Sequence, residues 1–325
     1  MTARATGKNP EMTSLLPDHT TAQVFLRSEA LAAGLADRDI RALVRSGQWH
    51  RVRHGAYVDA PTWRTLDEPG RHAVLARAVV RQSRTDVVLS HLSALPEFGA
   101  PMWGLPLDVV HLTRLDRRAG RKEAGVQQHR GLLLDGDVVQ RNGLSVTSAT
   151  RTVLDLTTVT GTEKALCATN FLLHAGETTV DELADRYRSM ERNPLTLKTD
   201  LVLRLADARI ESVGESRTYF MCWAQGLPAP VPQWVVLDAH GREVARLDFA
   251  WPDKRTWLEF DGKEKYQKFA RPGESVTDVV LREKRREEML REVTGWRCIR
   301  VTWWDLEHPQ RTAARIRNIF DSPAT

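Results

Sequence analysis

The chain has 325 residues, of which 42% are apolar, and a net charge of +5, which predicts a soluble, mildly basic protein of two or three domains. No apolar run approaches the roughly 18 residues of a membrane span, and Met1–Thr20 lack a signal-peptide core, so the sequence predicts a cytoplasmic protein without a membrane segment. Its three cysteines form no CxxC pair, which argues against zinc and against a disulfide framework.

The segment Val24–Val58 has the pattern of two short helices followed by a basic ribbon. Ser28 can cap a first helix that Gly34 ends. Asp37–Arg45 is predicted to form a second helix, with apolar side chains on one side and arginines on another, that Gly47 ends. Residues 1–20, which precede this pattern, are expected to form a loose leader.

The ribbon is predicted over Trp49–Val58, with a turn near His54 and Gly55. Between Arg41 and Val58 the chain has four arginines, two histidines and no acid. Two helices and a basic ribbon predict a winged helix-turn-helix over residues 21–62. The residues expected to contact DNA are Arg38, Arg41 and Arg45 on the second helix and Arg51 and Arg53 in the wing. The alternative is a helix pair whose arginines are merely solvated.

The stretch LVRSGQWHRVRHGAYV, from the second helix through the ribbon, resembles the N-terminal domain of AbiEi-type antitoxins. These are the winged-helix partners of type IV toxin–antitoxin systems, so the resemblance implies DNA and a cognate toxin protein as partners. Two further pieces, SHLSALPEFG and SVTSATRTVLDL, resemble the mixed α+β middle domain that follows the winged helix in AbiEi-like chains, here residues 63–205.

Within this middle region the sequence predicts a helix over Glu68–Gln82, a helix from Ser90 that proline and glycine end, and an amphipathic helix over Leu195–Ile210. Short strands are expected in the pieces LDVVHL and GVQQHRG. His91 lies at the start of the second helix, where a catalytic role competes with the more usual structural one.

The stretch LDFAWPDKRTWLEFDGKEKY alternates as two strands around a four-residue turn at Pro252–Arg255. The cross-strand pairs that such a turn produces are Trp251 with Thr256 and Asp248 with Glu259. Alternation predicts an apolar face made of Leu247, Phe249, Leu258 and Phe260. The opposite face then gathers three carboxylates, those of Asp248, Glu259 and Asp261.

Acids placed side by side repel one another, so this face favours a divalent cation or a shared proton. The alternative is an ordinary solvated face, in which Asp248 pairs with Arg246 or Arg255 and Glu259 pairs with Lys263.

From Ser212 onward the predicted order of elements is helix, three strands, helix, strand and helix. This is the core plan of the PD-(D/E)XK nucleases, and the resemblance is closest to their very-short-patch-repair-like branch. It is carried by GESRTYF, by the hairpin and by LREKRREEMLREVTGWRCIRVTW, within residues 206–325. The expected fold class is therefore α/β multidomain: a winged helix-turn-helix, a mixed α+β middle domain and a restriction-endonuclease-like αβββαβ core.

The resemblance implies hydrolysis of phosphodiester bonds with Mg²⁺ or Mn²⁺ as cofactor. The catalytic residues and metal ligands that it implies are Glu215, Asp248 and Glu259. Asp261 stands where many of these nucleases have lysine and is expected as an additional catalytic metal ligand, with Lys265 reaching the phosphate. Glu215 alternatively serves only a capping box with Ser212.

Three acids on one face favour an endonuclease over its rivals. The first rival is an antitoxin-like transcriptional regulator with an inactive nuclease fold. The second is an accessory protein that binds damaged DNA without cutting it. A homodimer is a further expectation.

Overall fold

The structure, a computed structural model, describes residues 22–116, 118, 120–190, 197–262 and 276–322. These residues belong to two compact units, unit 1 (Met1–Asp155) and unit 2 (Leu156–Thr325). The predicted leader lies outside the described residues, and the finer predicted domain boundaries stay predictions. In the described part of the chain, no helix is long and apolar enough to cross a bilayer.

The first elements of unit 1 are two short helices and a three-stranded sheet. They are β1 Val24–Leu26, α1 Arg27–Ala32, α2 Asp37–Arg45, β2 Trp49–Arg53 and β3 Ala56–Asp59, with the strands in the order β1-β3-β2. The second helix and the ribbon are thereby confirmed. The predicted helix ends are confirmed as well, because Gly34 and Gly47 have φ of +92° and +72°, values that glycine adopts at low cost.

The predicted cap of the first helix is wrong. Helix α1 begins at Arg27 with Leu26 at the N-cap, so Ser28 lies inside the first turn. Strand β1 runs directly into the helix, which leaves Ser28 no extended position from which to cap it. The carboxylate of Glu29 takes over instead, because its Oε2 accepts a 3.0 Å hydrogen bond from the backbone N–H of Leu26.

The remainder of unit 1 is a six-stranded mixed sheet with helix packing on it. The helices are α3 Ala60–Thr65 and α4 Glu68–Gln82, the latter as predicted. The strands are β4 Val87–Leu89, β5 Val110–Arg114, β6 Lys122–Glu123, β7 Val126–Arg130, β8 Val138–Arg141 and β9 Leu144–Thr147, in the order β6-β7-β5-β4-β9-β8. Ala76 and Val79 of α4 pack with Leu89, Leu112 and Val146 of three adjacent strands.

The helix predicted after β4 forms as a 3-10 helix, His91–Phe98. Pro96 lies inside it, and Gly99 ends it with φ +68°. Proline lacks the N–H that an α-helix interior needs, which favours the short 3-10 form. Its first residue, His91, has φ +54°, an unusual value for a residue other than glycine.

The helices that follow β9 in the described chain were predicted only in part. They are α5 Ala149–Val159, α6 Thr162–His174, α7 Val180–Arg188 and α8 Leu197–Leu205. Nearly every residue of α6 from Ala165 to Leu173 is buried, which erases the one-sided apolar pattern that reveals a helix. Helix α7 has a visible signal, the capping box of Thr179 and Glu182. Helix α8 ends at Leu205, short of the predicted Ile210.

The C-terminal part of unit 2 has the predicted order of elements, with one further short helix between the last strand and the last helix. They are α9 Val213–Ala224, β10 Val231–Leu237, β11 Glu243–Trp251, β12 Thr256–Asp261, α10 Val276–Thr294, β13 Arg297–Thr302, α11 Trp303–Glu307 and α12 Pro309–Asp321. The sheet order is β10-β11-β12-β13, and only β12 and β13 are parallel among these described strands. On one face Phe249 packs with Met221 of α9 and Ile316 of α12. On the other, Trp257 packs with Leu290 of α10.

Gly214, in the first turn of α9, lies directly against the ring of Phe260 on β12. A Cβ at this position would lie 2.0 Å from Cε1 of that buried ring. We expect Gly214→Ala to lower the free energy of unfolding by about 1–3 kcal/mol, the usual cost of overpacking a core. Chemical denaturation followed by circular dichroism measures the change.

Gly161→Ala is the matched control, because no described atom beyond its own neighbours lies within 4 Å of a Cβ there. Gly161 is the N-cap of α6, where the change should cost less than about 1 kcal/mol. Adding Phe260→Leu to Gly214→Ala should restore part of the lost stability. Equal destabilisation by the two glycine changes would contradict the predicted clash.

Candidate functional site

The exposed side of α2 forms a basic surface in unit 1. Arg38 has 84% of its side chain exposed, and Arg41 and Arg45 follow it at helical spacing, both exposed. On the opposite side of the helix, Ile40 is buried against Tyr57. The predicted division of α2 into an apolar and a basic side is therefore confirmed.

Strand β2 supplies the other predicted DNA-binding arginines. Arg51 is exposed, whereas Arg53 is half-buried, and this burial lowers the pKa of its guanidinium. The strand is fixed by Trp49, whose ring stacks on Phe25 of β1 with the centroids 5.2 Å apart. Arg51 thus projects from a rigid strand, and it has more freedom than Arg53 to reach a ligand.

Strands β11 and β12 of unit 2 form the predicted hairpin. Trp251 pairs with Thr256 around the turn at Pro252–Lys254, as predicted. The backbone pairing of the two strands continues as far as Phe249 with Leu258. The predicted register is therefore confirmed up to the position of the acids.

Asp248 lies one position beyond the last of these pairs. Its Oδ2 accepts a 2.8 Å hydrogen bond from the backbone N–H of Phe260. A side-chain carboxylate therefore joins the two strands at a level where a backbone carbonyl would ordinarily do so.

One predicted face assignment is wrong at this level. Leu247 packs with Trp257 on the α10 side of the sheet, whereas Phe249 packs on the α9 side. The alternation breaks at Asp248. The adjacent strand β10 is irregular at the same level, since Gln233 has φ +52° and lies between the two pairs that flank Asp248.

Glu215 occupies the third position of α9, beside Asp248. Its Oε1 accepts from Ser212 Oγ at 2.7 Å, and its Oε2 accepts from the Glu211 N–H and from Gln233 Nε2, both at 3.1 Å. Burial raises the pKa of Glu215, and the charge of Asp248 raises it further. Glu215 therefore both stabilises the helix terminus and shares a largely buried site with a second carboxylate.

Glu259 is held by an arginine from α10. Both of its carboxylate oxygens accept from Arg286 Nη1, at 2.9 and 3.0 Å, and Arg286 Nη2 donates to the Arg246 carbonyl at 3.0 Å. The Arg246 side chain pairs with Glu211 at 2.8 Å. Arg286 thus neutralises a carboxylate that the sequence assigns to a metal ion.

Asp261 and Lys265 complete the predicted set. Asp261 is the last residue of β12, is partly buried and lies in register with Thr302 of the parallel strand β13. Lys265 and Lys263 lie outside the described residues. The catalytic and metal-binding roles assigned to the whole set stay predictions.

Several residues that shape these sites escape sequence reasoning. Arg286 lies among the alternating charges of α10, a pattern typical of a solvated face. Gln233 carries no signal of its own. His91, which the sequence marks, lies beside His111 and His129, which it does not. The spacing of these histidines becomes meaningful only once the strand order is known.

Comparison with known proteins bears on the N-terminal segment. Residues 20–58 match the family model described as "Transcriptional regulator, AbiEi antitoxin". This segment is similar to AbiEi antitoxins. The AbiEi-like segment coincides with the elements from β1 to β3 of unit 1, which fits a winged helix.

Two curated proteins of Mycobacterium tuberculosis also resemble the chain. They are the uncharacterized proteins MT2308 of strain CDC 1551 / Oshkosh and Rv2248 of strain ATCC 25618 / H37Rv, each 37% identical over 121 residues. The alignment covers 37% of this chain and 41% of each relative, so the chain spans less than half of their length.

The shared carboxylate site predicts a pH dependence for unit 2. Because the folded pKa of Glu215 is raised above its ordinary 4.5, its contribution to stability is greatest below that value and is lost as pH rises through the folded pKa. We expect Asp248→Asn to reduce this loss, since it removes one cause of the raised pKa and keeps an acceptor for the Phe260 N–H. Unfolding free energies from about pH 4 to about pH 7 measure it.

Asp253→Asn is the control, because Asp253 is exposed in the turn of the same hairpin. It removes the same charge without touching Glu215. An identical change of the pH profile in both variants would contradict the coupling of Asp248 to Glu215.

Proposed function

We propose that this protein is a DNA-binding transcriptional regulator of the antitoxin type. The observation that carries the proposal is that residues 20–58, which match the AbiEi antitoxin model, include the exposed arginines of α2 and β2. The proposal includes a cytoplasmic location and a cognate toxin as protein partner. It also includes a homodimer, which would let two winged helices bind two half-sites of one operator.

In the proposed complex, α2 enters the major groove and presents Arg38, Arg41 and Arg45 to base edges. A guanidinium binds guanine with two parallel hydrogen bonds, so these side chains would supply sequence preference. Arg51 on β2 reaches the phosphate backbone, where charge supplies affinity without sequence preference. Arg53 contributes less because it is half-buried.

We expect Arg51→Ala to weaken binding to a mixed-sequence DNA duplex and to flatten its salt dependence by about 0.9 units of log–log slope, the value of one lost phosphate contact. Arg53→Ala should have a smaller effect. Fluorescence anisotropy at several salt concentrations measures both quantities.

Arg188→Ala serves as control, since Arg188 is an exposed cation on α7 of unit 2. It should leave the slope unchanged. The proposed interface is refuted if Arg51→Ala keeps the parent slope or if Arg188→Ala lowers it as much.

A second candidate function is endonuclease activity of unit 2 with Mg²⁺ or Mn²⁺. The observation that favours it is the site shared by Glu215 and Asp248, two neighbouring carboxylates of the hard oxygen type that these cations bind. The order of elements in this part of unit 2 resembles that of PD-(D/E)XK nucleases, which supports the same candidate. The residues present therefore fit a divalent cation.

In this candidate mechanism, Asp248, Glu215 and Glu259 would hold the ion, with Asp261 as a further ligand. The bound ion would supply an activated water and offset the charge that develops on the phosphate. Lys265 would reach the phosphate. Glu259 can join only after it exchanges Arg286 for the cation. If Glu259 stays paired with Arg286, unit 2 would have the fold of a nuclease without its activity, as part of a regulator.

Asp248→Asn tests the second candidate. It should abolish metal-dependent cleavage of DNA while leaving the fold and DNA binding intact, because a hard cation depends on the removed charge. Mg²⁺ should raise the melting temperature of the parent and not that of the variant. Cleavage assays and thermal melts with and without Mg²⁺ measure these effects.

The control Asp253→Asn should cleave DNA as the parent does, and Mg²⁺ should raise its melting temperature in the same way. Cleavage that survives in Asp248→Asn would exclude this metal site. Absence of cleavage by the parent on every DNA and RNA substrate tried, with either cation, would leave the regulator as the function.

A further inference from the structure

Three histidines from adjacent strands of unit 1 meet at one point. His91 follows β4, His111 lies on β5 and His129 lies on β7, and β5 lies between the other two strands. One ring nitrogen of each falls within 4.8 Å of the others. The rings of His91 and His129 stack with centroids 3.7 Å apart, and His111 Nδ1 lies 2.9 Å from His129 Nε2.

The groups around His91 distinguish between a nucleophilic triad and a metal site. Ser90 Oγ lies 2.9 Å from His91 Nδ1, and Asp155 Oδ2 lies 3.9 Å from the same nitrogen. A nucleophilic triad is excluded, because it requires the serine and the carboxylate at opposite ring nitrogens. Polar groups gathered at Nδ1 instead match the outer shell that orients a metal-binding imidazole, whose Nε2 then takes the ion.

The backbone of His91 suits the same role. His91 has φ +54°, a strained conformation of the kind found at binding sites. His91 and His111 are also buried, where a ligand position for an imidazole is shielded from solvent.

We propose that His91, His111 and His129 bind one Zn²⁺ ion in unit 1. Imidazole ligands favour zinc and similar transition metals, whereas Mg²⁺ and Ca²⁺ take oxygen ligands. Zinc holds such nitrogens at about 2.0–2.1 Å, so binding requires the three rings to draw together, and His129 is the least buried of them. Three protein ligands leave a fourth position for water.

The cysteines do not compete for this ion. Burial raises the pKa of Cys167, Cys222 and Cys298 to about 12, and the cluster of potential ligands found in the described residues contains none of them. The absence of a CxxC pair argues against zinc bound by cysteines. It does not bear on zinc bound by histidines. The proposal is independent of DNA binding and of the carboxylate site.

The test uses the full chain without a histidine tag, stripped of metal with a chelator. Zn²⁺ titration by calorimetry should show one equivalent per chain, and Co²⁺ should produce the visible absorption bands of a tetrahedral site. His129→Gln should weaken Zn²⁺ binding at least about 100-fold, since it removes a ligand outright. An excess of Mg²⁺ should not displace the bound zinc.

His54→Gln is the matched control, because His54 is an exposed histidine of the same unit and should bind zinc as the parent does. His91→Asn is a second variant in case His129→Gln fails to fold, since asparagine tolerates positive φ. Loss of binding in a folded His129→Gln or His91→Asn supports the site. Tight one-to-one binding that survives in both variants, loss in His54→Gln, or no one-to-one binding by the parent would overturn it.

Discussion

The hydrogen bond from the Phe260 N–H to the Asp248 carboxylate is the contact on which the C-terminal sheet and its site depend. It holds β11 and β12 together beyond their last regular pair and fixes the backbone from which the ring of Phe260 projects. Gly214 packs against that ring, so the ring sets how closely α9 approaches the sheet. The approach of α9 in turn brings Glu215 beside Asp248. One side-chain bond therefore connects the strand pairing, the helix packing and the pair of acids.

Glu215, Asp248 and Glu259 are compatible with folding because each accepts from a donor. Glu215 has the hydroxyl of Ser212 and the amide of Gln233, and Glu259 has the guanidinium of Arg286. Charge compensation of this kind lets neighbouring carboxylates fold without a bound cation. The compensation would prevent cation binding only if the donor could not move away from the carboxylate. An arginine on a helix surface can move away more readily than a backbone N–H can.

Local patterns were enough to predict the amphipathic helices and the hairpin, because caps, turns and periodicity are encoded in neighbouring residues. The errors arise where residues that are distant in sequence determine the local structure. Leu247 changes face at the level where the neighbouring strand β10 is irregular at Gln233, and Arg286 reaches Glu259 across 27 positions of sequence. The histidine cluster depends on the order of β4, β5 and β7, including a parallel pair that no single segment reveals. Helix α6 was not predicted, because burial on nearly all sides removes the helical period of apolar residues from its sequence.

The native thiols of unit 2 have a practical consequence for optical experiments. Alkylating reagents react with thiolates, and a pKa of about 12 leaves Cys167, Cys222 and Cys298 almost wholly protonated at neutral pH. A cysteine introduced by His54→Cys, at the exposed turn between β2 and β3, would be the most reactive thiol of the chain. A fluorophore could thus be attached to the wing alone while every native cysteine stays in place.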